Sequence, residues 1–168
     1  VGKHTISGLV SSHYGYKASE VKVEVNLGGF ALTSMTNDLG RYSFSQIDID
    51  SKGELNMSSE EHVLEGISTS DIIKIQKHIL GIENIKSPYD LIAGDVDRNG
   101  YISASDIILL RKLIVGNIQQ YPHKQSIVGI DKNYKFINYS QPWNEFRNNN
   151  IYKFSELKRD ESLDWVAI

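Results

Sequence analysis

Gly94-Asp95-Val96-Asp97-Arg98-Asn99-Gly100-Tyr101-Ile102-Ser103-Ala104-Ser105-Asp106 is the stretch from which the rest of this 168-residue chain is read. Asp95, Asp97 and Asn99 alternate with residues that carry no ligating group, and Asp106 stands at the twelfth position counted from Asp95. Gly100, the sixth, permits a sharp backbone turn, and Ile102, the eighth, can anchor the loop to an apolar core. The alternation brings three side-chain oxygens in from one side. Tyr101 would add its backbone carbonyl, Ser103 would act directly or through water, and Asp106 would close the sphere from the first turn of the next helix. A shell of about six to eight hard oxygens is what Ca²⁺ takes, and a short loop supplies it only by folding round the ion. The twelfth position holds Asp where such loops usually carry Glu, so the loop must close tighter or bind through one oxygen. A polar turn followed by a helix capped by Ser103 or Ser105 is the competing reading; the matched ligand positions, the glycine and the apolar anchor together favour the metal loop.

The helix after this loop has a twin. Ile67 to Gly81 aligns with Ile102 to Gly116 at an offset of 35, with nine of fifteen positions identical, which marks an internal repeat. Each copy consists of an apolar anchor, a Ser/Asp start signal, a helix of about ten residues and a glycine that stops it. Ile72, Ile75 and Ile79 form one apolar stripe and Ile107, Leu110 and Ile114 its counterpart, so the helices are expected to pack on each other and on the linker Pro88 to Ala93. The loop of the first copy departs from the pattern. At the 35-residue offset Glu60 takes position 1, but His62 and Leu64 take positions 3 and 5; matching Gly66 to Gly100 puts Glu61, Val63 and Glu65 there instead. Asp71 keeps position 12. Two alternatives stay open: a metal-free half in which Asp71 caps its helix, and a distorted site built from Glu60, Glu61 or Glu65 with Asp71.

Residues 1–59 read as β-structure. Ile6, Gly8 and Val10 open a strand, Val21 to Leu27 alternates strictly, and Phe30 to Thr36, Arg41 to Phe44 and a segment around Leu55 and Met57 follow between glycine turns. Strands at this spacing predict a small antiparallel sandwich. Residues 121–168 carry Val128, Ile130, Tyr134, Phe136, Tyr139, Trp143, Phe146, Tyr152 and Phe154 with little periodicity, and are expected to be a β or irregular tail that packs on the preceding modules, with Asn148 to Asn150 a loop. An exposed set of these aromatics binding carbohydrate is the less favoured alternative. The chain starts at Val1 and ends on an apolar run that reads as a strand, so the polypeptide is expected to be a piece of something longer.

Two calcium-loop-plus-helix halves without the entering helix of an EF-hand, often called F-hands, resemble a type I dockerin over residues 60–120. The frame Ile6-Ser-Gly-Leu-Val, Val-x-Val-x-Val and Thr36-Asn-Asp-Leu-Gly-Arg-Tyr-Ser-Phe44 resembles the carboxypeptidase-regulatory-like, or transthyretin-like, sandwich. Ile79-Leu80-Gly81, Ser87 to Ala93 and Leu110 to Ile114 are similar to dockerin-like regions of large secreted or surface proteins of Bacteroidota. The resemblance implies an α+β chain of two modules, a sandwich over 1–59 and a calcium-binding helix pair over 60–120, with the tail over 121–168. It also implies a protein partner, a cohesin or neighbouring domains of the same polypeptide, read through loop positions 10 and 11 and two residues beyond the loop. Those are Thr69, Ser70, Gln76 and Lys77 in the first copy and Ala104, Ser105, Arg111 and Lys112 in the second.

Other functions find less support. The five histidines show no HExxH spacing, and no nucleophile elbow, phosphate loop or dinucleotide fingerprint is present. Asp48 and Asp50 read as a solvated turn. A formal charge of −3 gives no drive toward nucleic acid, and no apolar run is long enough to span a membrane. The absence of cysteine removes disulfide and thiol chemistry. The expectation is a non-catalytic, extracellular or cell-surface Ca²⁺ module for docking or assembly; the alternative is a purely structural, calcium-stiffened domain of an adhesin, filament or secretion cargo.

Overall fold

In the computed structural model residues 2–60 and 66–168 are described. The chain divides into two compact units: Val1–Ser59 with Ile127–Tyr134 and Asn148–Ile168, and Glu60–Ser126 with Lys135–Arg147. The fold is mixed α+β, with four helices and one curled sheet among the described residues.

In the first unit β1 (Lys3–Ser12), β2 (Lys22–Asn26), β3 (Ala31–Met35), β4 (Arg41–Asp48) and β5 (Gly53–Ser59) fall where the alternation predicts strands. Val23 and Val25 of β2, and Tyr42 and Phe44 of β4, face a common core while their neighbours face out. The next inward residue of β4 is Ile47, three positions on. A β-bulge resets the alternation there: Gln46 has φ 64° and the β1–β4 register shifts between His4 and Ile6.

The expectation of an antiparallel sandwich complete within 1–59 is corrected. These strands form two antiparallel groups, β1 with β4 and β3-β2-β5, joined by strands from the C-terminal stretch. β6 (Ile127–Asp131) pairs with β5, β9 (Trp165–Ala167) pairs with β6 and runs parallel to β1, and β8 (Glu161–Ser162) is also parallel to β1. β7 (Tyr152–Phe154) adds to β5. The sheet is therefore mixed, in the order β3-β2-β5-β6-β9-β1-β4, and it curls until Ser43 of β4 donates its N–H to Ser34 Oγ of β3 at 3.4 Å. Residues 121–168 do not form a tail of their own, because Leu157, Leu163 and the fully buried Trp165 supply apolar bulk to this core. Gly8 permits the approach: a Cβ there would lie 1.8 Å from the carbonyl oxygen of Leu163.

In the second unit α1 (Thr69–Ile79) and α3 (Ala104–Ile114) repeat each other in their capping boxes and in the bonds that end them. Ser68 and Ser103 cap the N-termini in reciprocal boxes with Asp71 and Asp106. Gly81 and Gly116, at φ 67° and 74°, end the helices, and the next amides, of Ile82 and Asn117, reach back to Lys77 and Lys112 at 2.9 and 2.8 Å. Ile72, Ile75, Val96, Ile107 and Leu110 form the core between them; Ile79 is 42% exposed and belongs to the surface. The stretch expected as a linker is a third helix, α2 (Pro88–Gly94), started by Ser87 and by proline at its first position. Asn148 and Asn149 end α4 (Trp143–Asn149) instead of lying in a loop, with the Phe146 N–H bonded to the Pro142 carbonyl at 2.9 Å.

One buried clip tests the role of the C-terminal strands. The Tyr42 hydroxyl donates to the Leu163 carbonyl at 2.6 Å and accepts from Trp165 Nε1 at 3.2 Å. Tyr42→Phe leaves both partners unmatched in a buried site and is expected to destabilise the protein by about 1–3 kcal/mol in urea unfolding. An unchanged midpoint would mean that this clip does not hold the C-terminal stretch on the sheet.

Candidate metal centre

The loop starts at the end of α2 and closes on the first turn of α3. Its two ends are fixed by packing. Ile102 lies against the helix core, and a Cβ on Gly94 would come within 2.8 Å of the Ile102 side chain, so the two ends of the loop pass close to each other there. Between the ends the backbone turns at Arg98 (φ 56°) and Gly100 (φ 99°). Arg98 is a non-glycine residue in the left-handed region, a conformation that its surroundings must hold.

Asp95, Asp97 and Asp106 bring carboxylate oxygens within 4.8 Å of one another. Asp95 and Asp106 are buried and Asp97 is half-buried. Backbone amides line the cluster. Asp95 accepts from Asn99 N–H at 3.0 Å and Gly100 N–H at 2.8 Å, and Asn99 N–H also reaches Asp97 at 3.1 Å. Asp106 is shared: Oδ2 accepts the Ser103 N–H at 2.8 Å as a helix cap, while Oδ1 accepts from Val96 and Asp97 at 2.7 and 3.2 Å. The Asn99 side-chain oxygen accepts from Tyr101 N–H at 3.1 Å. The donor set is all oxygen and anionic, the chemistry of a hard cation, and the three grouped carboxylates could hold a metal ion. Burial raises the Asp95 carboxyl to about 6, with the Asp106 and Asp97 charges adding to the effect and the Gly100 and Asn99 amides opposing it.

The first copy is built differently. Glu61 and Glu65 lie outside the described residues, Glu60 is exposed, and Asp71 is taken up by its cap and by Lys74, whose ammonium lies 3.6 Å from Asp71 Oδ1. Among the described residues the acidic group able to hold a metal is the one in the second copy.

The residues expected to meet a partner lie on two helices. Thr69, Ser70, Lys77, Ala104, Ser105, Arg111 and Lys112 are exposed and Gln76 is half-buried. Some are engaged within the chain: Lys77 bonds Glu83 at 2.9 Å, Ser70 Oγ lies 2.7 Å from Ser68 Oγ, and the Ser105 hydroxyl donates to Asp97 Oδ2 at 2.8 Å. Of the C-terminal aromatics, Phe136 and Phe146 are buried and Tyr139 is exposed.

Three side chains that the sequence does not single out reach the loop. His123 Nε2 donates to the Val96 carbonyl at 3.1 Å, Gln125 Oε1 accepts from the Arg98 guanidinium at 2.8 Å, and Arg147 Nη2 donates to the Arg98 carbonyl at 3.3 Å. The separations of 27 and 49 residues carry no local signal.

No protein-family model matches the chain, and no curated protein matches it.

The raised Asp95 carboxyl fixes a pH dependence. A folded-state value of about 6 against an ordinary 3.8 means that the metal-free fold binds this proton more tightly than the unfolded chain does. The stabilisation is present below the ordinary value and is lost as pH rises through about 6. With metal-free protein, Asp95→Asn is expected to gain stability relative to wild type as pH rises over that interval, measured by urea unfolding. A constant difference across it would remove the buried, proton-holding Asp95 from the account.

Proposed function

We propose that this chain is a non-catalytic, extracellular or cell-surface Ca²⁺-binding module that serves docking or assembly through its helix pair. The observation that carries the reading is the convergence of Asp95, Asp97 and Asp106 within 4.8 Å inside a loop whose own amides wrap them. The proposed ligands are these three carboxylates with the Asn99 side chain and the Tyr101 carbonyl. A carboxylate of Asp length at position 12 suits the calcium level outside cells better than a cytosolic sensor's range. Sensors also expose a methionine-rich groove when they bind, and the two methionines here, Met35 and Met57, lie in β3 and β5. Calcium in this reading holds a shape instead of switching one.

The held shape presents two near-identical helices with Lys77, Arg111 and Lys112 exposed, which suits recognition of a cohesin-like domain or of neighbouring domains of the same polypeptide. A second reading, a purely structural calcium-stiffened unit, is favoured by the engagement of Lys77 with Glu83 and of Ser105 with Asp97. Among the described residues no helix is long and apolar enough to cross a membrane.

Calorimetry should find one Ca²⁺ per chain, abolished by Asp95→Ala with Asp106→Ala, and Mg²⁺ should substitute poorly because it demands a smaller octahedron and keeps its water. At free calcium about a hundredfold above its Kd the linkage gain is about 2.7 kcal/mol, so chelator should lower the Tm. Unchanged binding in the double variant would remove the site. With calcium binding intact, Lys77→Glu with Lys112→Glu should impair assembly of the full-length protein; normal assembly would leave the structural reading in place of docking.

A further inference from the structure

We propose that His123, Gln125 and Arg147 are positioning residues of the metal loop, holding the backbone of its first four positions in the ion-binding shape from outside the twelve-residue segment. The proposal rests on the calcium reading above.

The contacts converge on two residues. Val96 and Arg98 occupy positions 2 and 4, the ones that contribute no side chain to the carboxylate cluster. Their carbonyl oxygens are bound from outside, Val96 by His123 at 3.1 Å and Arg98 by Arg147 at 3.3 Å. Arg98 is held at three points: its N–H bonds the Asp95 carbonyl at 3.2 Å, its carbonyl takes the Arg147 donor, and its guanidinium donates to Gln125 at 2.8 Å. This is the residue whose φ of 56° has to be maintained for the turn to form. Arg147 also lies over the neighbouring turn, since a Cβ on Gly100 would come within 3.1 Å of its guanidinium. His123 is itself steadied by Tyr121, whose ring stacks on it at 5.5 Å and 10°.

The function of such contacts follows from the chemistry of the cluster. Without an ion, three converging carboxylates push the loop apart, and the left-handed turn at Arg98 gives it a way to relax. Fixing the outer carbonyls and the Arg98 guanidinium blocks that route, so an incoming Ca²⁺ meets oxygens already gathered and spends less of its binding energy on ordering them. Groups that orient ligands without touching the metal commonly change affinity by about 10–100-fold when removed. Arg147 stands 49 residues beyond Arg98, so the loop's affinity depends on chain well outside the repeat.

The test is calcium titration calorimetry on the full chain, with the Tm of the metal-free protein measured alongside. Arg147 is exposed, so Arg147→Ala is expected to leave the metal-free Tm unchanged while weakening the calcium Kd by about tenfold or more at unchanged stoichiometry. Gln125→Ala and His123→Ala should weaken it similarly, and His123→Gln, which keeps a donor for the Val96 carbonyl, should recover most of the loss. Wild-type affinity in Arg147→Ala and Gln125→Ala overturns the positioning role while leaving the calcium site standing. Failure of His123→Gln to recover any affinity also counts against it. Absence of calcium binding by the wild type overturns both readings together.

Discussion

Mutual repulsion among three carboxylates is the constraint on which the second unit is organised. Asp95, Asp97 and Asp106 sit within 4.8 Å of one another, with Asp95 and Asp106 out of contact with bulk water. Like charges at this distance in a poorly solvated site repel, and either a proton or a cation sharing the cluster relieves that repulsion. Six hydrogen bonds from the amides of Val96, Asp97, Asn99, Gly100 and Ser103 tie the carboxylates to one loop geometry. They oppose dispersal of the charges without removing it as an option. Protonation of Asp95 and binding of a cation would be competing answers to the same electrostatic problem.

The parts of this architecture that the sequence discloses are local. Ser68 with Asp71 and Ser103 with Asp106 act over three residues, Gly81 and Gly116 act through their own φ, and the carboxylate cluster falls within twelve residues. The same signals place α1 and α3 and make the second-copy loop readable. Ser87-Pro88 is an equally local helix start, and its significance becomes plain once Leu91 and Ile92 are seen buried.

What the sequence hides is paired across long separations. β8 and β9 have two and three residues, too short for a period to register, and their partners in β1 lie more than a hundred and fifty positions earlier. Their parallel direction also removes the hairpin-turn signal that marks β2 and β3. The close approach that admits them is carried by a single glycine: at Gly8 an added Cβ would come within 1.8 Å of the Leu163 carbonyl oxygen, yet nothing in the neighbouring sequence distinguishes this glycine from any other. His123, Gln125 and Arg147 are hidden for a related reason, since a lone polar residue has no pattern until the fold brings its partner to it.

The two halves of the repeat give the same capping aspartate different surroundings. Asp71 and Asp106 each accept the N-cap serine amide at 2.8 Å through Oδ2. What differs is the other oxygen. In the first copy Asp71 Oδ1 faces the Lys74 ammonium three residues on. In the second copy the corresponding residue is Leu109, which packs against the helix core, and Asp106 Oδ1 turns to the Val96 and Asp97 amides at the start of the loop. An ammonium at that place would neutralise the twelfth-position carboxylate from the helix side and compete with any cation for it. A leucine leaves the charge available. The cap alone would preserve aspartate in both copies, so aspartate at position 12 does not by itself indicate a metal site. The residue three places further on, Lys74 in one copy and Leu109 in the other, decides what that second oxygen meets from the helix side.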